Sequence, residues 1–153
     1  MGVRVRTALP KEAGLLTELC MRSKAHHGYD DAFMAQCAPV LEVRGADIDA
    51  GRIWVAQRNR RIVGTVGITP GGDGEAELDR MFVEPEAIGS GVGKALMRRV
   101  VRESRAIGVR RLMILADPHA ARFYEHCGAV LIGEEPSDAI PGRRLPRYEL
   151  RIG

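Results

Sequence analysis

The stretch Met81-Phe82-Val83-Glu84-Pro85-Glu86-Ala87-Ile88-Gly89-Ser90-Gly91-Val92-Gly93-Lys94-Ala95-Leu96-Met97 joins a strand to a helix through three glycines. It opens as the end of a strand, Glu75 to Val83, in which Leu78 and Phe82 alternate with Glu77 and Asp79, so the two faces differ chemically. Glu84-Pro85 ends that strand. Glycines at 89, 91 and 93 then lead into an amphipathic helix, Lys94 to Ile107. Its Leu96, Met97, Val100 and Val101 point inward, and Arg98, Arg99, Arg102 and Arg105 point outward. A strand that turns through glycines into a helix leaves N–H groups and the positive end of the helix dipole facing the turn, a setting that favours a phosphate.

Two familiar phosphate loops do not fit. A Walker A loop needs glycine where Ile88 stands and a hydroxyl where Ala95 stands. A dinucleotide G-x-G-x-x-G needs its last glycine at Lys94 or at Leu96, depending on where it starts. Both loops also follow the first strand of a unit, whereas three consecutive strands precede this one.

Near the N-terminus, Val3 to Thr7 alternates β-branched and charged residues as a half-solvated strand does. Pro10 opens a helix with Leu15, Leu16, Leu19 and Cys20 on one face, up to His26-His27-Gly28. A second helix, capped by Asp30 or Asp31, carries Phe33, Met34, Cys37 and Leu41, with Pro39 expected to kink or end it. Arg52 to Gln57 and Arg61 to Thr69 form a hairpin through Arg58-Asn59-Arg60. Downstream, Arg111 to Ala116 is a short apolar run of a strand buried on both faces. Asp117-Pro118 ends it, a helix from His119 to Cys127 stops at Gly128, and the tail from Gly142 to Ile152 returns as a strand. The predicted order is β-α-α-β-β-β-α-β-α-β, with no repeat and no linker.

This succession, with Gly89-x-Gly91-x-Gly93-Lys94-Ala95-Leu96-Met97 in the loop and Phe123-Tyr124-Glu125-x-x-Gly128 in the last helix, resembles the GNAT acetyltransferase superfamily over essentially the whole chain. The resemblance implies an α+β fold, mixed α/β. Its central twisted sheet is mostly antiparallel, its fourth and fifth strands run parallel and splay apart, and helices flank it, with residues 1–153 as one domain. It departs from the family at Ile88, where Gln or Arg is usual, and at His119, where Asn is common.

What the resemblance implies about chemistry is specific. Acetyl-CoA would lie in the splay as cosubstrate, with Met81, Phe82 and Val83 pairing with its pantetheine arm through their backbone. Gly89, Ser90, Gly91, Val92, Gly93, Lys94 and Ala95 would bind its pyrophosphate, the glycines by letting the backbone approach. Tyr124 matches the general acid that protonates the departing thiolate, and the Val83 N–H would polarise the thioester carbonyl. Glu77 aligns with a carboxylate base of the family, and Asp79 shares its strand face. Mutual repulsion would raise the pKa of at least one.

Composition bounds the alternatives. The chain has 153 residues, 45% hydrophobic and 28% charged, the mixture of an ordinary globular protein. Only 5% are aromatic, so the core is expected to be aliphatic. A net charge of +3 and few aromatics do not suit a nucleic-acid partner. Cys20, Cys37 and Cys127 have no zinc or disulfide spacing, so free buried thiols and no metal are expected. With no apolar leader or membrane-length stretch, no membrane partner and a cytoplasmic location are expected.

The function expected is transfer of an acetyl group directly to a primary amine of a small molecule. The alternative is a non-catalytic acyl-CoA sensor of the same fold, which would need neither Tyr124 nor Glu77. The family also forms homodimers often. The acceptor's chemistry stays open: Asp30, Asp31 and Glu42 suit a cationic amine, whereas Arg143, Arg144 and Arg147 suit an acidic one. His26 and His27 lie where they could reach the acceptor side.

Overall fold

The computed structural model describes residues 2–153. In chain order the elements are β1 (Arg4–Thr7), α1 (Ala13–Ala25), α2 (Asp31–Leu41), α3 (Gly45–Asp49), β2 (Ile53–Arg58), β3 (Arg61–Pro70), β4 (Glu75–Val83), α4 (Val92–Ala106), β5 (Arg111–Leu115), α5 (Ala121–His126), β6 (Val130–Pro136) and β7 (Arg144–Arg151). Short 3₁₀ turns precede α1, α4 and α5. The seven strands form one sheet in the order β1-β2-β3-β4-β5-β7-β6. Every pairing is antiparallel except that of β4 with β5. This is the mixed, mostly antiparallel sheet expected, with its one parallel pair in the expected place.

Alternation along the strands gives the sheet two apolar faces. On one, Leu96 and Val100 of α4 and Tyr124 of α5 pack with Trp54, Leu112 and Ile114. On the other, Leu16 and Cys20 of α1 and Met34, Cys37 and Leu41 of α2 pack with Ile53 and Val55. The core is aliphatic in the main, but Trp54, Tyr124 and Tyr148 are buried in it. The β2–β3 hairpin closes through Asn59 (φ 53°) and Arg60 (φ 68°), the paired left-handed residues of a tight turn.

Several expectations need correction. Strand β6 and the short α3 add to the predicted order. β6 escaped detection because its Val130, Leu131 and Ile132 do not alternate and are all exposed on an outer strand of the sheet. Pro39 does not end α2, which runs two residues past it. The helix forgoes the bond that an N–H at 39 would make one turn back, and only two helical residues follow it. Leu15 is exposed, and Leu16, Leu19, Cys20 and Ser23 form the inward face of α1. Cys20 and Cys37 are buried free thiols as expected, but Cys127 is only half-buried. Among the described residues no helix is long and apolar enough to cross a membrane.

Candidate active site

The site begins where β4 and β5 part. They pair from Glu75 opposite Arg111 to Leu78 opposite Ile114, and no further. β4 continues to Val83 against β3 alone, with a bulge: Thr65 faces Phe82 and Gly67 faces Asp79, so Val66 opposes both Arg80 and Met81. Arg80 takes φ +48° there. A bulge bends its strand and shifts the side-chain alternation by one. Before it, Ala76 and Leu78 face the α4 side. After it, Met81 and Val83 do, while Phe82 turns to the α1 side. The Glu84 N–H donates to Val63 O at 2.8 Å, so in an alternating strand the main-chain groups of Phe82 also face β3. Those of Met81 and Val83 face the gap.

The glycine-rich loop lies at the mouth of that gap. Gly89 (φ +82°) and Gly91 (φ +89°) sit in left-handed conformations with open space where a side chain would begin. Gly93 has a different role: a Cβ there would come 2.9 Å from the Phe123 ring, so this glycine lets α5 pack against the start of α4. Val92, Gly93 and Lys94, the first turn of α4, have N–H groups with no intrahelical acceptor. Ser90 and Ala95 are less available than expected, since their N–H groups already donate to Ala87 O (3.3 Å) and Gly91 O (3.1 Å). Ile88 is exposed and has no polar side-chain atom with which to hold the loop. Instead Arg58, from the β2–β3 hairpin, donates from Nη2 to Ser90 O at 3.3 Å and to Ser90 Oγ at 3.2 Å. Its Nε is buried without a partner. No local spacing announces this tether, because 32 residues separate its ends.

Gap and loop open into one cleft of about 1060 Å³. Met81, Val83, Gly91, Gly93 and Lys94 line one part, and Glu77, Asp79 and Tyr124 line it too. A free strand edge followed by helix N-terminal amides suits an amide-bearing arm that ends in a diphosphate, which is the chemistry of coenzyme A.

The two carboxylates differ more than their shared face suggests. Glu77 is held by Arg147, whose Nη1 donates to Oε2 at 2.9 Å and whose Nη2 donates to Oε1. Hydrogen bonding to Glu77 raises the Arg147 pKa. Asp79 accepts from Thr69 Oγ1 at 2.8 Å and only distantly from Arg80, at 3.4 Å. Burial raises its pKa above the ordinary carboxylate value, and Glu77 is not among the causes, so the expected mutual repulsion is replaced by desolvation. Tyr124 is 5% exposed, and among the described residues no protein group hydrogen-bonds its hydroxyl. Burial, with smaller effects from Cys127 and Asp117, pushes its phenol above the ordinary value, so it stays protonated at neutral pH.

A further cluster at the cleft joins His27, His119 and Arg143, which the sequence singles out, to Lys24, Tyr29 and Asp117, which it does not mark as site residues. Asp117 Oδ2 accepts from Lys24 Nζ at 2.8 Å and from the Tyr29 hydroxyl at 2.9 Å. Its Oδ1 accepts from the His119 N–H at 2.9 Å and contacts His119 Nδ1 at 2.9 Å. Although burial opposes it, these bonds hold the Asp117 carboxyl well below the usual carboxylate range. His27 stacks on His119 with ring centroids 4.4 Å apart, which brings one of the two candidate histidines to the cleft, and burial lowers its pKa. Arg143 donates from Nη2 to the Tyr29 hydroxyl at 2.8 Å. The members are separated by up to 114 residues, so no local spacing announces them.

The acetyltransferase (GNAT) domain family matches residues 49–128, just over half the chain. An IAA acetyltransferase of Azospirillum brasilense is 34% identical over 87 residues, 55% of this chain and 56% of that protein. Serotonin N-acetyltransferase 2, chloroplastic, of rice (Oryza sativa subsp. japonica) is 35% identical over 83 residues, 53% of this chain and 40% of that protein. The chain thus spans about half the length of the curated relatives it matches. In fold it is similar to PaiA N-acetyltransferase from Thermoplasma acidophilum in complex with coenzyme A, with a TM-score of 0.78 and 15% identity over 99% of both chains. It is also similar to YncA from Salmonella typhimurium with acetyl-CoA, with a TM-score of 0.73 and 19% identity over 100% of this chain and 95% of that one. The parted parallel strands, the glycine-rich helix start and the family match agree, and the chain belongs to the GNAT acetyltransferase family.

Proposed function

We propose that residues 1–153 form one acetyl-CoA-dependent N-acetyltransferase domain that passes the acetyl group directly to a primary amine of a small molecule. One observation carries this reading: Tyr124, buried and without a protein hydrogen-bond partner among the described residues, lines the same cleft as the parted β4 edge and the glycine-rich loop. Binding of an acyl-CoA alone needs no free phenol at that place. The relatives' names, serotonin N-acetyltransferase among them, support an amine acceptor.

In this reading the main-chain groups of Met81 and Val83 hold the pantetheine arm, and the amides of Gly91 to Lys94, with the Lys94 charge, hold the pyrophosphate. The Val83 N–H donates to the thioester carbonyl oxygen. Asp79 takes the proton from the attacking amine, because its carboxylate is bound only weakly by a cation while Glu77 is occupied by Arg147. Tyr124 gives its proton to the thiolate that leaves. Glu77 acts through Arg147 as a wall of the acceptor side.

Calorimetric titration with acetyl-CoA, followed by a panel of primary amines assayed for thiol release with a thiol-reactive dye, tests this. Micromolar binding and amine-dependent release are expected. Binding with no release from any amine would favour the sensor reading, and no binding would overturn both.

A further inference from the structure

Resting on that proposed function, we infer that the acceptor is an amine that also carries a carboxylate, an amino-acid-like substrate, and that Arg143 with Lys24 forms the subsite for the carboxylate. The two cations share a single anion. Lys24 Nζ is 2.8 Å from Asp117 Oδ2, and Arg143 Nη2 is 3.9 Å from the same oxygen. Their side chains are only 12% and 20% exposed, so neither charge is dissipated in bulk water. His27, the ring beside them, is kept neutral by burial and does not offset or add to them at pH 7. The group therefore holds more positive than negative charge in a half-buried place.

The donors are also incompletely used. Arg143 spends Nη2 on the Tyr29 hydroxyl, and among the described residues Nε and Nη1 have no protein acceptor. Nor are these atoms sealed in the interior, since they are not among the buried groups left without a partner. The guanidinium carbon lies 5.2 Å from the centre of the Tyr29 ring and 4.9 Å from that of Phe33, two rings stacked on each other at 4.1 Å. Nearly equidistant from two rings that stack on each other, the guanidinium lies beside the pair, and its Nε and Nη1 are left to donate to a carboxylate. Lys24 is likewise near both rings, at 5.3 and 5.9 Å, with one carboxylate oxygen for three donors. Lys24 and Arg143 line the cleft that Asp79 and Tyr124 line. A substrate can thus place its amine toward Asp79 and its acid group toward Arg143 in one cavity. Arg147, the other arginine of that wall, is already committed to Glu77.

The test compares matched pairs on the intact chain with saturating acetyl-CoA: phenylalanine with phenethylamine, tryptophan with tryptamine, and γ-aminobutyrate with butylamine. The inference expects kcat/KM for the acid at least about tenfold above its partner amine in one or more pairs. It also expects Arg143→Met to reduce that ratio about tenfold with acetyl-CoA affinity unchanged, and Arg143→Lys to restore part of it. A strut that merely ties the tail to α1 would lower both members of a pair alike. Equal or better use of the decarboxylated amines, a ratio that Arg143→Met does not move, or no turnover of either series by a protein that binds acetyl-CoA would overturn the subsite. Failure to bind acetyl-CoA would overturn the proposed function itself.

Discussion

Gly67 and Asp79 face each other across β3 and β4, and a Cβ on Gly67 would lie 2.6 Å from Asp79 Oδ1. The missing side chain makes the room in which the carboxylate sits, buried and bonded to Thr69. Gly67→Ala should therefore push Asp79 from its place. We expect a loss of about 1–3 kcal/mol in thermal or denaturant unfolding, together with a kcat lowered more than the affinity for acetyl-CoA.

Glu77 and Asp79 of β4 are separable by substitution. Asp79→Asn should lower kcat by about 10²-fold, whereas Glu77→Gln should lower it by no more than about threefold. The pH dependence has a definite sign. Burial raises the folded Asp79 pKa above its unfolded value, so stability is greatest when the group is protonated and is lost as pH rises through the folded value. Asp79→Asn should accordingly be more heat-stable than the parent at neutral pH, with the difference closing near about pH 3. The rate of the parent should rise with pH above the ordinary carboxylate range, as a raised base requires. Melting curves and kcat/KM profiles across pH check both.

The glycine-rich loop has two supports that can be removed one at a time. Gly91→Ala places a side chain in a left-handed conformation and should cost about 1–2 kcal/mol locally, read as weaker acetyl-CoA binding in calorimetry. Arg58→Met removes the tether to Ser90 and should weaken the same binding by about five- to tenfold, without lowering the melting temperature by more than a few degrees. If Arg58→Met leaves the affinity untouched, the tether has no part in shaping the loop.

Much of this site was legible because its signals are local. Alternation and Pro85 bound β4 at Glu75 and Val83. The apolar stripe marks α4, although the helix starts at Val92 rather than Lys94 and takes in Gly93. Gly128, at φ +96°, ends α5 where a left-handed residue was required. What stayed hidden depends on contacts across the chain. The bulge at Arg80 leaves no mark in a charged residue, yet it decides that Met81 and Val83 face the gap and Phe82 does not. Lys24, Tyr29, Asp117 and Arg143 meet only after the sheet has brought β5 and the β6–β7 loop beside α1. The packing role of Gly93 is hidden for the same reason, since its neighbour Phe123 is 30 residues away and is brought close only by packing.

In the proposed reaction the buried Tyr124 phenol, protonated at neutral pH, supplies the proton for the departing thiolate. The most direct measurement is single-turnover kinetics of Tyr124→Phe beside its acetyl-CoA affinity, using an amine that the parent protein acetylates. Removing the hydroxyl alone should slow the transfer step by about 10²-fold or more, with acetyl-CoA affinity within about twofold of the parent. A variant that transfers acetyl at the parent's rate would rule out Tyr124 as the acid.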